Sequence, residues 1–456
     1  MKKLFGTDGM RGEAGRFPLD ADTIETVGTS LATRLKDKLG HAPVIVIGRD
    51  TRKSGEWLEQ ALVAGVASAG AVSKVAGVIT TPGVAYLARA LPADAGVVIS
   101  ASHNAYRDNG IKIFAPSGRK LDDATERLIE SDVFFRRKAP STNPANQLLT
   151  SLKTDTRDSR NLRARYVHFL ANEIGRRLSL KGIRLVIDCA NGASSDIAPD
   201  LFRRLGATAI VINNTPDGRN INLRCGSLHT EVLQAEVIKQ NAELGVAFDG
   251  DADRALFVDA EGKLINGDAS LWVLAKYLKA YHGLNHDTVV ATVMSNIGLE
   301  LALQSQGIRL VRTNVGDKYV LEELLRLDAS LGGEQSGHII FPNLSLAGDG
   351  LITALMMLRA MTEAGRTLHE LIEGFQTFPQ ILVNVEVKVK QPFAEVPAIQ
   401  NVAREIEAAL GSRGRLLLRY SGTESLARVM IEGESQDEIE RHAKKLAGVI
   451  QNTLGF

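Results

Sequence analysis

The sequence predicts an α/β protein with three related domains followed by a smaller C-terminal α+β domain. Three segments share one order, in which an apolar strand precedes a polar or glycine-bearing loop, an amphipathic helix and a glycine. Apolar strands that alternate with helices are typical of parallel sheets covered by helices on both faces. The C-terminal part instead contains a strand with period-two alternation, which is typical of a half-exposed antiparallel sheet.

The repeated units are predicted from runs of apolar residues. The first unit has a strand at 44–47 and a helix that ends near Ser68. The second unit has a strand at 185–187, a helix at 197–205 and a strand at 209–212. The third unit has a strand at 289–293, a helix at 299–306 and a strand at 308–311. Because any α/β protein repeats such a unit, the recurrence alone supports related domains only weakly.

The C-terminal domain is predicted from three strands and a final helix. Residues 382–389 alternate with period two, 415–419 and 426–432 are two further strands, and Ser435 begins a capping box for the last helix. Residues 140–144, which contain two prolines, indicate a surface loop before the first boundary. The predicted domains are residues 1–155, 156–257, 258–375 and 376–456.

Composition excludes several classes of function. A content of 44% hydrophobic and 23% charged residues is typical of a soluble globular protein, and a net charge of +1 gives no electrostatic basis for binding nucleic acid or an anionic membrane. No window approaches the ~20 apolar residues of a membrane span. Cys189 and Cys225 cannot form a disulfide framework, and the N-terminus lacks the apolar run of a signal peptide. We therefore expect a cytoplasmic protein.

Three aspartates follow a predicted strand at alternate positions, namely Asp249, Asp251 and Asp253. Carboxylates this close repel each other unless a cation lies among them, and oxygen ligands suit Mg²⁺. The alternatives are a solvated acidic turn or a fragment of a calcium loop. A calcium loop would need a glycine where Arg254 stands, so the pattern favours magnesium.

A second strand ends in the segment ISASHNAYRDNGIKIF, residues 99–114. A serine, a histidine and an asparagine at a strand end can form a turn that satisfies main-chain groups. They can equally present the hydroxyl of Ser102 to a substrate. The residues alone leave both interpretations open.

Several other loops carry groups that bind anions or sugars. Residues 6–12, 49–55 and 419–424 combine glycines or hydroxyls with guanidinium groups, a combination suited to phosphate. Residues 332–338 offer a carboxylate, an amide and a hydroxyl, which suit sugar hydroxyls. His338 in that loop is either a general acid or base or a structural histidine.

Taken in this order, these loops resemble those of the α-D-phosphohexomutase superfamily over residues 3–450. The discriminating motifs are FGTDGMRG at 5–12, NINLRCGS at 220–227 and GEQSGH at 333–338. Ala105 and Ser425 stand where the family usually has proline. The resemblance implies a four-domain architecture, with three mixed-sheet α/β domains and a smaller α+β domain around a central active-site cleft.

Within the superfamily, the chain is most similar to members that act on amino-sugar phosphates. This resemblance implies that glucosamine 6-phosphate and glucosamine 1-phosphate are interconverted through a phosphoserine and a bisphosphorylated sugar, for cell-wall amino-sugar synthesis. Ser102 would be the phosphoserine, and its phosphate would complete the shell of one Mg²⁺ held by the three aspartates. The partner would be a small sugar phosphate, and the chain is a possible homodimer.

The resemblance also implies roles for the remaining site residues. Lys112 and Arg254 would neutralise the transferring oxygens, with Arg11 facing the same centre, and either Lys112 or His338 would move the hydroxyl proton. Sugar hydroxyls would be held by Glu334 and Ser336, and the distal phosphate by Arg419, Ser421, Gly422 and Thr423.

Three other functions would account for parts of this pattern. A phosphoglucomutase or phosphomannomutase would share the fold and the chemistry. A serine hydrolase using Ser102 and His103 is disfavoured because no G-x-S-x-G elbow is present. A catalytically silent sugar-phosphate-binding protein would need neither the serine nor the aspartates.

Overall fold

The computed structural model describes residues 3–6, 8–138, 156–421 and 424–456. The chain divides into two compact units. The larger contains Met1–Val293 and Val311–Glu373, and the smaller contains Met294–Leu310 and Gly374–Phe456. The predicted loop at 140–144 and the boundary after residue 155 fall outside the described residues. The bounds of the four predicted domains stay a prediction.

The first sheet has six strands in the order β1-β2-β6-β5-β3-β4. Its strands are β1 Phe5–Gly6, β2 Gly9–Glu13, β3 Val44–Arg49, β4 Val72–Val78, β5 Ala95–Ile99 and β6 Asp108–Phe114, and its helices are α1 Ala21–Leu39, α2 Gly55–Ser68, α3 Thr81–Ala90 and α4 Asp123–Lys138. Strand β3 pairs in parallel with β4 and β5, whereas β6 pairs antiparallel with β2 and β5. The sheet is therefore mixed.

Local chemistry sets the ends of the helices in this domain. Helix α1 begins after Asp20, whose side chain accepts a hydrogen bond from the amide of Thr23, and it ends at Gly40 with a φ of 74°. Glycine adopts this left-handed conformation without the cost of a Cβ atom. Leu31 and Leu62, from α1 and α2, pack with Ile47 and Val97 of the sheet in one hydrophobic core.

The second sheet has five strands in the order β11-β10-β9-β7-β8, and the third has four in the order β13-β12-β14-β15. The second comprises β7 Arg184–Asp188, β8 Thr208–Ile212, β9 Leu244–Phe248, β10 Ala255–Asp259 and β11 Leu264–Ile265, and the third comprises β12 Thr288–Thr292, β13 Arg309–Thr313, β14 Leu331–Gly333 and β15 Ile339–Ile340. Both sheets are mixed, since β9 pairs in parallel with β7 and antiparallel with β10, and β14 pairs in parallel with β12 and antiparallel with β15.

The helices that accompany these two sheets complete the larger unit. They are α5 Thr156–Phe169, α6 Ile197–Arg204, α7 Glu231–Lys239, α8 Gly267–Tyr277, α10 Asp317–Leu327, α11 Gly350–Ala364 and α12 Leu368–Ile372. Helix α9, Ile297–Ser305, belongs to the smaller unit. No helix in the described part of the chain is both long and apolar enough to span a membrane.

The smaller unit contains the predicted antiparallel sheet, with strand order β16-β18-β17. Its elements are β16 Gln380–Glu386, β17 Arg415–Tyr420, β18 Leu426–Glu432, α13 Pro397–Leu410 and α14 Gln436–Leu454. Ser435 accepts a hydrogen bond from the amide of Glu438 at the start of α14. The sheet and its two helices share a core that includes Val429, Ile406 and Leu446.

Candidate active site

Ser102 lies three residues beyond the end of β5, on a loop that the structure buries. Only 1% of the residue is exposed, and its φ of 52° lies in the left-handed region that non-glycine residues rarely adopt. Its hydroxyl donates a hydrogen bond to Oδ2 of Asp249 at 2.5 Å. The main chain therefore holds the hydroxyl against the aspartates.

The three aspartates occupy the tight connection between β9 and β10. One oxygen from each of Asp249, Asp251 and Asp253 lies within 4.8 Å of the others. Oδ1 of Asp251 is buried and has no hydrogen-bond partner in the described part of the chain, and Oδ1 of Asp253 has only the longer ion-pair contacts with His338 at 3.6 Å and Arg254 at 3.8 Å. Buried carboxylate oxygens without partners are costly, and a divalent cation would satisfy them. The donors fit a metal ion that prefers oxygen.

Electrostatics supports the same conclusion. Burial, together with the charges of Asp253 and Asp251, raises the pKa of Asp249. Burial would also raise the pKa of Asp253, but Lys112 and His338 outweigh it and hold that pKa below its usual range. The negative charge around Asp249 therefore exceeds the positive charge that neighbouring side chains supply.

Six side chains of alternating charge close into a ring beside the aspartates, and we call it the charge ring. Its members, in order, are Asp253, Lys112, Asp8, Lys120, Asp317 and His338. Successive charged atoms are separated by 3.1, 3.3, 2.7, 2.6 and 3.8 Å, and His338 Nδ1 lies 3.6 Å from Oδ1 of Asp253. The ring joins Lys112 and His338, the two candidates for proton transfer.

The charge ring keeps both candidates cationic. Burial alone would lower the pKa of both groups. However, the carboxylates of Asp251 and Asp253 raise the pKa of Lys112, and those of Asp253 and Asp317 raise the pKa of His338 to about 9. The imidazole of His338 lies against Gly348, where a Cβ atom would be 2.2 Å from Nε2. Glycine at 348 is therefore required for the imidazole of His338 to occupy this position.

Two cavities meet at the charge ring. The first, of about 460 Å³, is lined by Arg11, His103, Arg254 and Glu334, and the second is about 400 Å³. Both are also lined by four members of the charge ring, namely Asp8, Asp253, Asp317 and His338. The first cavity is the candidate substrate cleft, because Arg11, Arg254 and Glu334, three of the predicted phosphate-binding and sugar-binding side chains, line it.

The predicted sugar-binding loop lies between β14 and β15. Glu334 accepts a hydrogen bond at 3.1 Å from the amide of Gly316. The hydroxyl of Ser336 is buried and has no partner among the described residues. Glu334 lines the cleft with a carboxylate oxygen still available to a ligand.

His103 lies close to the serine, as the hydrolase alternative required. Its Nδ1 is 3.2 Å from the Ser102 hydroxyl. However, burial and the nearby guanidinium groups of Arg254 and Arg11 lower the pKa of His103 to about 4. Such a histidine is a weak base near neutral pH, which disfavours a serine hydrolase.

The loop at residues 49–55 does not offer its arginines to an anion as predicted. Arg52 is fully buried, and it binds the carboxylate of Asp50 and main-chain oxygens of the serine loop. Arg49 forms an ion pair with Glu59 at 3.4 Å. The sequence could not distinguish these contacts from phosphate binding, because the same guanidinium serves both.

Arg419 belongs to the smaller unit, at the end of β17. It lies directly across from Arg428 in the antiparallel sheet, and within the described residues no carboxylate pairs with Arg419. Burial and the charge of Arg428 lower the pKa of Arg419. Ser421 follows it, whereas Gly422 and Thr423 lie outside the described residues. An arginine without a counterion is suited to an anionic ligand.

Sequence reasoning missed several residues that the structure brings to the site. Thr81 donates to Oδ2 of Asp251 at 2.6 Å, and Lys120 and Asp317 complete the charge ring. Asp8 lies inside the quoted FGTDGMRG motif, where it pairs with Arg11. No local pattern marks the other three, because their partners are distant in the sequence.

Comparison with known proteins identifies the family. Models of the phosphoglucomutase/phosphomannomutase family match as alpha/beta/alpha domain I at residues 2–139, domain II at 164–262, domain III at 266–378 and the C-terminal domain at 382–449. A phosphoglucosamine mutase from Solibacter usitatus is 50% identical over 456 residues, which cover 100% of this chain and 99% of the relative. One from Syntrophus aciditrophicus is 45% identical and covers 100% of both chains. The chain belongs to the phosphoglucosamine mutase family.

Solved structures of phosphohexomutases share this fold. A phosphoglucomutase/phosphomannomutase family protein from Burkholderia thailandensis superposes with a TM-score of 0.77 at 22% identity, covering 100% of both chains. The N-acetylphosphoglucosamine mutase of Aspergillus fumigatus, solved with GlcNAc-6P and magnesium, gives 0.64 at 19%, covering 99% of this chain and 96% of that one. Membership of the phosphoglucosamine mutase family confirms the predicted four-domain architecture and the isomerase class.

Proposed function

We propose that this site interconverts glucosamine 6-phosphate and glucosamine 1-phosphate by passing a phosphoryl group through Ser102. The observation that carries the proposal is a buried serine hydroxyl held 2.5 Å from one member of a three-carboxylate cluster. Membership of the phosphoglucosamine mutase family supports this choice of substrate. The cytoplasmic location and the homodimer stay predictions.

The metal of this site is proposed to be Mg²⁺, held by Asp249, Asp251 and Asp253 together with the phosphate of Ser102. An all-oxygen set of buried carboxylates is the kind of site that hard cations occupy. When bound, the cation acts as a Lewis acid toward the phosphoryl oxygens.

The reaction consists of two transfers in opposite directions. In the first, a sugar hydroxyl attacks the phosphorus of phosphorylated Ser102, so that the Ser102 O–P bond breaks as the sugar O–P bond forms. In the second, the Ser102 hydroxyl attacks the other phosphate of the bisphosphorylated sugar, whose O–P bond breaks. Each attacking hydroxyl loses a proton and each leaving oxygen gains one, which leaves the enzyme as it began.

His338 and Lys112 divide the remaining chemistry. His338 exchanges the proton of the sugar oxygen, because its imidazole lines the cleft beside the sugar-binding loop. Lys112, with carboxylates of Asp8, Asp251 and Asp253 within 3.3 Å, stays charged and neutralises phosphoryl oxygens together with Arg254 and Arg11. The Ser102 proton already has an acceptor in Asp249.

Substrate binding is assigned to the two loops that the resemblance identified. Glu334 holds sugar hydroxyls, since its carboxylate lines the cleft, and Ser336 is the second candidate because its buried hydroxyl has no partner among the described residues. Arg419 and Ser421, with Gly422 and Thr423, hold the phosphate that is not reacting. The bisphosphorylated sugar places one of its two phosphates at this loop in each transfer. A guanidinium with hydroxyl and main-chain donors can bind either phosphate.

A coupled assay tests this function most directly. Turnover is measured with the 1-phosphates of glucosamine, glucose and mannose at matched bisphosphate and Mg²⁺ concentrations. We expect the highest kcat/KM for the glucosamine phosphate. A higher value for glucose or mannose would assign the chain to the other phosphohexomutase activity.

Replacing His338 with alanine is expected to lower kcat by about 10²–10⁴-fold, the usual contribution of a positioned acid or base. The matched control is His369→Ala, since His369 pairs with Asp259 and lies outside the cleft lining. Steady-state kinetics would separate the roles. A raised KM with unchanged kcat would make His338 a binding residue.

Replacing Arg419 with alanine is expected to raise KM in both reaction directions by similar factors, about 10–100-fold. This range corresponds to the loss of a charged hydrogen bond of about 1.5–3 kcal/mol. Arg413→Ala, in the same unit, removes an exposed arginine paired with Glu434 and serves as the control. If both KM values stayed at the wild-type level, the loop would be a simple turn between strands.

A further inference from the structure

We propose that Arg52 and Asn222 are positioning residues that hold the Ser102 loop in place for phosphoryl transfer. The inference rests on the proposed function, because it concerns the serine that carries the phosphoryl group. Both side chains donate hydrogen bonds to the same two main-chain oxygens, those of Ser102 and Asn104.

Arg52 is the centre of the first set of contacts. Its Nη2 donates to the carbonyl oxygens of Ser102 at 2.9 Å and Asn104 at 2.8 Å, and its Nη1 donates to those of Asp108 at 3.1 Å and Ala105. Its Nε donates to Asp50 at 2.8 Å. All three guanidinium nitrogens are therefore engaged in shaping the loop, and the side chain is fully buried.

Asn222 supplies the second set from a different domain. Its Nδ2 donates to the oxygens of Ser102 at 2.9 Å and Asn104 at 3.0 Å. Asn222 is itself anchored, since its main-chain N–H donates to the carbonyl oxygen of Ala190 at 2.9 Å, in the loop that follows β7. The serine loop of the first domain is thus tied to the domain that carries the three aspartates.

The conformation of Ser102 explains why such anchoring is needed. A non-glycine residue with a φ of 52° costs on the order of 1–3 kcal/mol and persists only where its surroundings fix it. The amide of Ser102 donates to Oγ of Ser100, and that hydroxyl donates to Asp50, the partner of Arg52. Both ends of the Ser102 peptide unit are therefore constrained.

The metal-binding loop packs against the same oxygen. A Cβ atom at Gly250 would lie 2.5 Å from the carbonyl oxygen of Ser102, so only glycine permits this approach. Because Arg52 and Asn222 fix that oxygen, they also fix the distance from Ser102 to the aspartates. Neither contact uses the hydroxyl, so phosphorylation of Ser102 leaves their donors and acceptors unchanged.

The serine loop depends on these contacts for its rigidity. Residues 100–109 contain no proline, so nothing in the loop restricts φ as a proline ring would. Arg52 binds the carbonyl oxygen of Ala105 directly. The side-chain contacts supply rigidity that proline would otherwise contribute.

Asn222→Ala tests the proposal, with Asn220→Ala as the control from the same loop. Among the described residues, the side chain of Asn220 bonds only within its own loop, where it accepts from the amide of Asp217 and donates to the carbonyl oxygen of Thr215. We expect Asn222→Ala to lower kcat by about 10–100-fold with KM within twofold, because a displacement of about 1 Å at the reacting atoms has this effect. Melting temperatures and phosphoserine content by intact mass are measured on the same preparations.

Two further variants keep the test decisive. Asn222→Asp preserves size but turns a carboxylate toward two carbonyl oxygens, and we expect it to be slower than Asn222→Ala. Arg52→Lys keeps the charge beside Asp50 but loses the planar guanidinium that donates to several main-chain oxygens at once. It should also lower kcat. A kcat per folded molecule within twofold of wild type for Asn222→Ala and Arg52→Lys would overturn the proposal. Failure of the proposed function would differ, because wild-type protein itself would then lack mutase activity.

Discussion

Replacing Ser102 with alanine is expected to lower turnover by a factor on the order of 10⁴ or more, because the hydroxyl is the covalent carrier. The fold should persist, since the change removes only one oxygen atom. Losing the hydrogen bond to buried Asp249 should lower the free energy of unfolding by about 1–3 kcal/mol in metal-free protein. Intact-mass analysis should find one phosphoryl group on part of the wild-type protein and none on the variant.

Ser117→Ala is the matched control, since Ser117 is exposed and its hydroxyl accepts a hydrogen bond from the amide of Arg119 at 3.3 Å. It should keep both the phosphoryl group and full activity. A phosphoryl group found on another serine, together with an active Ser102→Ala variant, would contradict the assignment of Ser102.

Removing the metal, or one of its ligands, is the second change with a large expected effect. Chelation should abolish activity and Mg²⁺ should restore it. Asp251→Asn should lower kcat/KM by more than about 100-fold, since even residues behind metal ligands contribute about 10–100-fold. Asp251 has one oxygen bound to Thr81 and Lys112 and the other buried without a partner in the described chain.

Binding can be measured without activity. At a concentration one hundred times its dissociation constant, Mg²⁺ should stabilise the wild type by about 2.7 kcal/mol, a shift that Asp251→Asn should reduce. Asp259→Asn is the control, because Asp259 is also fully buried but lies outside the cluster. Full activity of the wild type in excess chelator would contradict a metal-dependent site.

The predicted site residues that the structure brings together stand in short contiguous motifs. Asp249, Asp251 and Asp253 follow one strand, so their convergence follows from a single tight connection. Ser102 follows another strand, but its contact with Asp249 spans 147 positions, and only the family resemblance suggested that contact.

The missed residues depend on long-range contacts. Lys120 meets Asp317 across 197 positions, and nothing near either residue in the sequence marks the pair. Arg52 was misread for a different reason. Its neighbours resemble an anion-binding loop, and only burial shows that its donors face carbonyl oxygens.

Helices and strands were predicted to within a few residues, and the differences have local causes. The predicted helix at 299–306 begins at Ile297, because the side chain of Asn296 caps the amide of Gly298. The apolar strands by themselves indicated parallel sheets, whereas the family resemblance implied mixed ones. The sheets are mixed, because strands such as β6 and β10 return by short antiparallel connections. Periodicity detects an apolar strand but does not reveal the direction of its neighbour.

The charge ring has a consequence for how this protein tolerates change over generations. Each member has two neighbours of opposite sign, so neutralising Lys120 alone would leave Asp8 and Asp317 each with one fewer cation beside it. Changes at Asp8, Lys120 and Asp317, the members without an assigned role in the chemistry, should therefore be inherited in compensating pairs. A library randomised at these three positions should return active variants in which the signs still alternate, even where the residue types have changed.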